Sequence, residues 1–165
     1  MQQPLYGLIG GKLGHSYSKI IHEKIADYTY ELLPLPTEAE ARTFMEKRAF
    51  AAINVTIPYK QFVIPYCDVV DPKAQAIGAV NTIVNRDGKL YGYNTDYAGF
   101  AYLAGAHGVD FAGKTVLVLA PGGSLAAEAG RAAVTAAQAD VTVSANFVPD
   151  FVTPDYAFFT NAKRF

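Results

Sequence analysis

Short apolar and polar blocks alternate along this chain and predict strands and helices in turn. Residues 5–9 form an apolar run stopped by Gly10-Gly11, the pattern of a buried strand. Ile21, Ile25 and Tyr28 recur at helical spacing and predict a helix from about Ser18, with Ser18 as its N-cap. Residues 30–35 read as a second strand ended by prolines. Thr37-x-x-Glu40 is a capping-box pattern, followed by Ala41, Phe44 and Met45 as the apolar stripe of the next helix. Residues 51–57 predict a third strand closed by Pro58, then helical stretches over 59–66 and 72–77. Residues 80–85 and 89–93 predict strands joined across Asp87-Gly88, a favourable hairpin turn. Such alternation implies an α/β fold with a mostly parallel sheet.

The texture changes after Gly113. Residues 114–119 read as a buried strand, Gly122-Gly123 as a turn, 124–137 as an alanine-rich helix and 141–143 as another strand. This is one strand–turn–helix–strand unit of a nucleotide-binding fold. No period organises residues 144–165. The expected division is residues 1–100 as one domain and 101–165 as a partial second one.

Bulk numbers narrow the function classes. The 165 residues are 51% apolar and 18% charged, the balance of a globular protein. A net charge of −1, with scattered basic residues, gives no reason to expect nucleic acid or an anionic membrane as partner. Cys67 is the only cysteine, which excludes an intrachain disulfide and a thiolate zinc cluster; no metal site is expected. The start lacks a secretory pattern and no run is apolar enough to span a bilayer, so the expected compartment is the cytoplasm.

Four polar clusters abut predicted strand ends, where open α/β sheets bind ligands. In Gly14-His15-Ser16-Tyr17-Ser18-Lys19, two hydroxyls beside a helix start suit a carboxylate, or else simply cap the helix. In Asn54-Val55-Thr56-Ile57-Pro58-Tyr59-Lys60, strand geometry puts Asn54 and Thr56 on one face and Val55 and Ile57 on the other. Lys60 is then expected to start a helix with its ammonium free to reach the crevice, the alternative being a solvated surface lysine. In Gly78-Ala79-Val80-Asn81-Thr82, Asn81 either faces a ligand or closes a turn. In Gly92-Tyr93-Asn94-Thr95-Asp96, Asp96 is either a functional carboxylate or a helix cap.

Together these strings resemble the shikimate dehydrogenase family, whose substrate domain carries Gly-His-Ser-x-Ser, Asn-Val-Thr-x-Pro-x-Lys, Ala-Val-Asn-Thr and Asn-Thr-Asp elements in this order. The resemblance is close from Leu5 to Phe100 and continues with faults to Val143. It implies an open, mostly parallel substrate domain followed by an incomplete Rossmann-like dinucleotide-binding domain. It also implies that Ser16 and Ser18 hold the substrate carboxylate, and that Asn54, Thr56, Asn81 and Asp96 hydrogen-bond its ring hydroxyls. Lys60 and Asp96 would be the catalytic pair. Gly122 and Gly123 would receive the pyrophosphate of NADP, with NAD as the other nicotinamide to consider. The implied activity is reversible NADP-dependent reduction of 3-dehydroshikimate to shikimate, in aromatic amino acid biosynthesis. The implied partner is that small molecule, with a homodimer as a further option.

The departures from the family pattern keep two other readings open. Lys19 stands where the family commonly has proline. The cofactor turn reads Ala120-Pro121-Gly122-Gly123 in place of Gly-Ala-Gly-Gly, and Pro121 offers no amide. No arginine occurs in Ser144-Ala145-Asn146-Phe147, where one would pair with a 2′-phosphate. The alternatives are a quinate or shikimate dehydrogenase preferring NAD, and a non-catalytic shikimate-binding module. A lone strand–helix–strand unit would leave a sheet edge uncovered, so further stretches of a longer protein are expected.

Overall fold

The computed structural model describes residues 4–14, 16–119, 138–145 and 153–158. The chain divides into two compact units, Met1–Leu103 and Ala104–Phe165. The first is built on a six-stranded sheet in the order β2-β1-β3-β5-β6-β4. Its strands are β1 Tyr6–Gly10, β2 Tyr30–Pro34, β3 Ala52–Val55, β4 Val69–Val70, β5 Thr82–Arg86 and β6 Lys89–Tyr93. β1 pairs in parallel with both β2 and β3, and β4 with β6, whereas β5 runs antiparallel to β3 and β6. Gly7 is required where β1 meets β2, because a Cβ there would lie 2.5 Å from the Glu31 carbonyl oxygen.

Helices α1 Ser18–Ile25, α2 Glu38–Lys47, α3 Pro72–Ile77 and α4 Thr95–Ala106 complete the described α-helices. The capping box forms as its spacing predicts: Glu40 N–H donates to Thr37 Oγ1, and Thr37 N–H donates to Glu40 Oε2 at 2.9 Å. Ala41 and Met45 then bury fully against Ile9, Ile53, Val55 and Val63, with Phe44 stacked on Phe50. Asp87 and Gly88 both have positive φ, the geometry of a tight hairpin between β5 and β6. Arg48 donates to Asp68 Oδ2 and to the Gly88 carbonyl, both at 2.7 Å, and ties the end of α2 to that hairpin. Asp68 also accepts from Leu90 N–H, and these two donors hold its carboxyl below the usual aspartate range.

Three local expectations are corrected. The N-cap of α1 is Tyr17, not Ser18, and its side chain does not cap the helix. Instead Ser16 Oγ accepts from Ser18 N–H at 3.2 Å, a local turn that starts the helix one residue early in the capping sense. The stripe of α1 is not buried: Ile21 is 54% and Ile25 73% exposed, and Tyr28 lies beyond the helix end. Residues 59–66 do not form the expected α-helix. One α-type bond, Val63 N–H to Tyr59 O, gives way to i→i+3 bonds and a 3₁₀ turn at Ile64–Tyr66. Pro65 is the cause, since it has no N–H and disfavours α geometry at Ile64. Lys60 therefore lies in a run of turns.

In the second unit, β7 Val116–Leu119, β8 Val141–Ala145 and β9 Tyr156–Phe158 form an all-parallel sheet in that order. β9 falls in the stretch whose sequence has no period. It is held by Asp155, which accepts from Thr142 N–H at 2.7 Å and Thr142 Oγ1 at 2.8 Å. Gly122, Gly123 and the helix expected after them lie outside the described residues, as does His15. Among the described residues no helix is long and apolar enough to cross a membrane.

Candidate functional site

The predicted polar residues gather at one end of the first sheet, and strand direction is the reason. β1, β3 and β6 run the same way, so their carboxyl ends share an edge. β5 runs against them and brings its amino end to that edge, where Thr82 pairs with Asn54 and Tyr93. Residues on either side of three strand ends and one strand start therefore meet there.

Thr56 leaves β3 with its backbone fixed, donating N–H to the Ile9 carbonyl at 2.9 Å. Its methyl packs on Gly10, where a Cβ would come within 2.5 Å of Thr56 Cγ2. Ile57, expected to continue the strand alternation on the face of Val55, is 77% exposed, because β3 ends at Val55 and the chain turns. Thr56, Ser16 and Ser18 line one cleft of about 530 Å³, together with Leu8, Lys12 and Leu13. Among the described residues the Ser18 and Thr56 hydroxyls have no hydrogen-bond partner. The Ser16 oxygen accepts from Ser18 N–H, which leaves its own proton to donate.

Lys60 Nζ donates to Asp96 Oδ2 at 2.6 Å, the pair the sequence pattern singles out. Two anchors set this distance. The Lys60 carbonyl accepts from Val80 N–H at 2.8 Å, tying the turn to the entry of β5. Asp96 sits in the first turn of α4, where the helix dipole favours a carboxylate. Asn94 opens that helix: its Oδ1 accepts from Tyr97 N–H at 3.3 Å, while its Nδ2 donates to the Ala79 carbonyl at 3.0 Å.

Asn81 is 7% exposed, and three donors converge on its Oδ1: Thr95 N–H at 2.9 Å, Thr95 Oγ1 at 3.2 Å and Thr82 Oγ1 at 3.1 Å. A backbone N–H can only donate, so this fixes the amide orientation and leaves both Nδ2 protons for a ligand. Asn54 is held by neighbours on both sides of its amide. Its Oδ1 accepts from Tyr30 O–H at 2.7 Å and its Nδ2 donates to Thr82 Oγ1 at 3.1 Å, so both ends of its amide are engaged within the protein. Tyr30 is itself buried, and burial pushes its phenol above the ordinary tyrosine range. Tyr30, Asn54, Thr82, Asn81 and Thr95 thus form one continuous hydrogen-bond chain.

Lys19, at the position of the family's proline, donates to Glu23 Oε1 at 2.9 Å and to the Tyr30 carbonyl at 2.7 Å. Glu23 Oε1 also accepts from Tyr30 N–H at 3.1 Å, so Lys19 is a strut between α1 and β2. Sequence reasoning missed Lys12, Tyr30 and the supporting roles of Thr82 and Thr95. Lys12 follows the carboxyl end of β1, which was signal enough to include it; Tyr30 opens β2, and no local pattern connects it to Asn54. Among the described residues no group of His, Cys, Asp and Glu could hold a metal ion.

Comparison with known proteins places these residues in a family setting. A sequence profile described as "Shikimate dehydrogenase substrate binding domain" matches residues 8–83. The chain is 43% identical over 127 residues to "Shikimate dehydrogenase (NADP(+))" of Clostridium perfringens strain SM101, covering 73% of this chain and 47% of that protein. Its structure resembles shikimate dehydrogenase 1 of Peptoclostridium difficile with a TM-score of 0.64 at 30% identity, covering 95% of this chain and 61% of the other. It also resembles the Thermus thermophilus shikimate 5-dehydrogenase solved with NADP(H) and shikimate, with a TM-score of 0.63 at 33% identity, covering 90% and 58% of the two chains. The chain spans about half the length of the curated relatives it matches.

Proposed function

This chain belongs to the shikimate dehydrogenase family, and from that membership we propose that its first unit binds shikimate and 3-dehydroshikimate for NADP-dependent interconversion. The observation that carries the proposal is the Lys60–Asp96 bond at 2.6 Å, at the sheet end that also presents Asn81. The name of the Clostridium perfringens relative and the Thermus complex with NADP(H) and shikimate agree with this substrate and cofactor class.

In this reading Ser16 and Ser18 donate their hydroxyl protons to the substrate carboxylate. Thr56 Oγ1 and the two Nδ2 protons of Asn81 bind ring hydroxyls. Lys60 places its ammonium against the oxygen of the reacting carbon. When that carbon is reduced, negative charge grows on the oxygen, and Lys60 stabilises it and transfers a proton to it. In the oxidising direction neutral Lys60 takes the proton back. Asp96 accepts from the Lys60 ammonium and orients it. Asn54 and Thr82 act one layer behind, by fixing Asn81.

NADP supplies or accepts the hydride when bound. The second unit fits such a group in its topology, since β7, β8 and β9 are parallel and ordered as in an open dinucleotide-binding sheet. Gly122 and Gly123, between β7 and β8, would hold the pyrophosphate, and residues 1–100 and 101–165 would divide the work as substrate and nucleotide domains. Titrating shikimate into isotopically labelled protein tests the reading. Shifts at Ser16, Thr56 and Asn81 with saturable dependence support it, and absence of binding overturns it. Repeating the titration with NADP and then NAD separates the two nicotinamides.

A further inference from the structure

The cleft that gathers Ser16, Ser18 and Thr56 has a charge balance that the hydroxyls do not explain. Among the described residues Lys12 is the only charged group that lines it, and no carboxylate is found there. Nothing among the described residues pairs with Lys12: the ion pairs there join Lys19 to Glu23, Arg42 to Glu38, Arg48 to Asp68 and Lys60 to Asp96. Lys19, the other ammonium close in sequence, is committed to Glu23 and the Tyr30 carbonyl. The backbone around Lys12 is held on both sides, by Gly11 N–H on the Ile57 carbonyl at 3.0 Å and by Ser16 N–H on the Leu13 carbonyl at 3.1 Å. A cation on a pinned turn therefore lines the same cleft as three hydroxyls, without an ion-pair partner among the described residues.

We propose that Lys12 is a specificity-determining residue of the substrate site, supplying the countercharge for the carboxylate that Ser16 and Ser18 hydrogen-bond. The inference rests on the reading of this cleft as the carboxylate end of a shikimate site. Two neutral hydroxyls can satisfy carboxylate lone pairs but leave its charge uncompensated, whereas an ammonium at the cleft wall compensates it. The contribution is that of a partly solvated pair: modest in size, sensitive to ionic strength, and specific for an anionic ligand.

The test uses the whole protein with Lys12→Met and Lys12→Arg, each checked for an unchanged thermal midpoint. Calorimetric titration is run with shikimate and with its uncharged methyl ester. Lys12→Met is expected to weaken shikimate about fivefold while the ester changes less than about twofold, and Lys12→Arg restores shikimate to within about twofold of wild type. Raising the salt from about 0.05 M to 0.5 M brings the wild type close to the Met variant, because the pair is screened. Equal effects on acid and ester, or none on either, overturn the role of Lys12. If the wild type binds shikimate and loses it on Ser16→Ala/Ser18→Ala while Lys12→Met is silent, only this inference falls. If the wild type does not bind shikimate, the functional reading and this inference fall together.

Discussion

At the scale of single residues, the proposed binding and reacting groups differ in what else they hold in place. Lys60 holds only Asp96 by its side chain, so Lys60→Ala removes a proton donor without opening the core. Turnover in the NADP-coupled assay is expected to fall by roughly 10²–10⁴, the usual worth of a general acid, while the shikimate Kd moves by no more than a few-fold. Near-normal turnover would remove Lys60 from the mechanism. The two serines are also distinguishable. Ser16 Oγ accepts Ser18 N–H, whereas Ser18 Oγ supports nothing among the described residues. Ser16→Ala should therefore cost stability as well as affinity, by about 0.5–2 kcal/mol in a melt, and Ser18→Ala affinity alone. The double variant should weaken shikimate far more than an analogue without the carboxylate, each lost bond to the charged group being worth on the order of 1.5–3 kcal/mol.

At the scale of elements, the site depends on close approaches that a glycine permits. At Gly10 a Cβ would meet Thr56 Cγ2 at 2.5 Å, Leu13 Cδ2 at 2.8 Å and the Ile57 carbonyl at 3.2 Å. Gly10→Ala must displace a stiff β-branched side chain that lines the cleft. The expected loss is about 1–3 kcal/mol in denaturant unfolding, with a parallel drop in shikimate affinity. Elements with local signals were legible in the sequence: β1 from its apolar run, α2 from Thr37 and Glu40, the hairpin from Asp87-Gly88. Illegible were features set by distant partners or by one overriding residue. Pro65 cancelled the helical pattern after Tyr59, and the exposed stripe of α1 carries helical spacing without being core. Asn81 precedes its strand, and only the reversal of β5 relative to β3 brings it to the edge that Thr56 reaches from the other direction. That reversal also sets Thr82 opposite Asn54, where it accepts from the Asn54 amide.

At the scale of the whole molecule, the first unit is closed tightly enough to shield its one thiol. Cys67 lies against the core beside Gly92, and burial pushes its pKa up to about 11. At pH 8 the native thiol should react with iodoacetamide at least about a hundredfold more slowly than in the unfolded chain, where the ordinary value is about 8.5. The same shift has a consequence for alkaline stability. The unfolded thiol ionises first, so the Cys67 contribution to the free energy of unfolding should fall as pH rises past about 8.5 and level off beyond about 11, and Cys67→Ala should remove that part of the fall. Chemical denaturation at a series of pH values checks it. The Asn81 amide offers a different kind of reading. Its oxygen takes the Thr95 N–H, its nitrogen has no partner among the described residues, and the two atoms are conjugated through one carbonyl carbon. A ligand oxygen that accepts from Nδ2 polarises the N–H bond, pushes electron density through the amide and makes Oδ1 a stronger acceptor. Occupancy of the cleft would then be audible one helix away: the Thr95 amide proton should move downfield and exchange more slowly with solvent as shikimate is added, giving a resonance that reports how firmly Asp96 is being held.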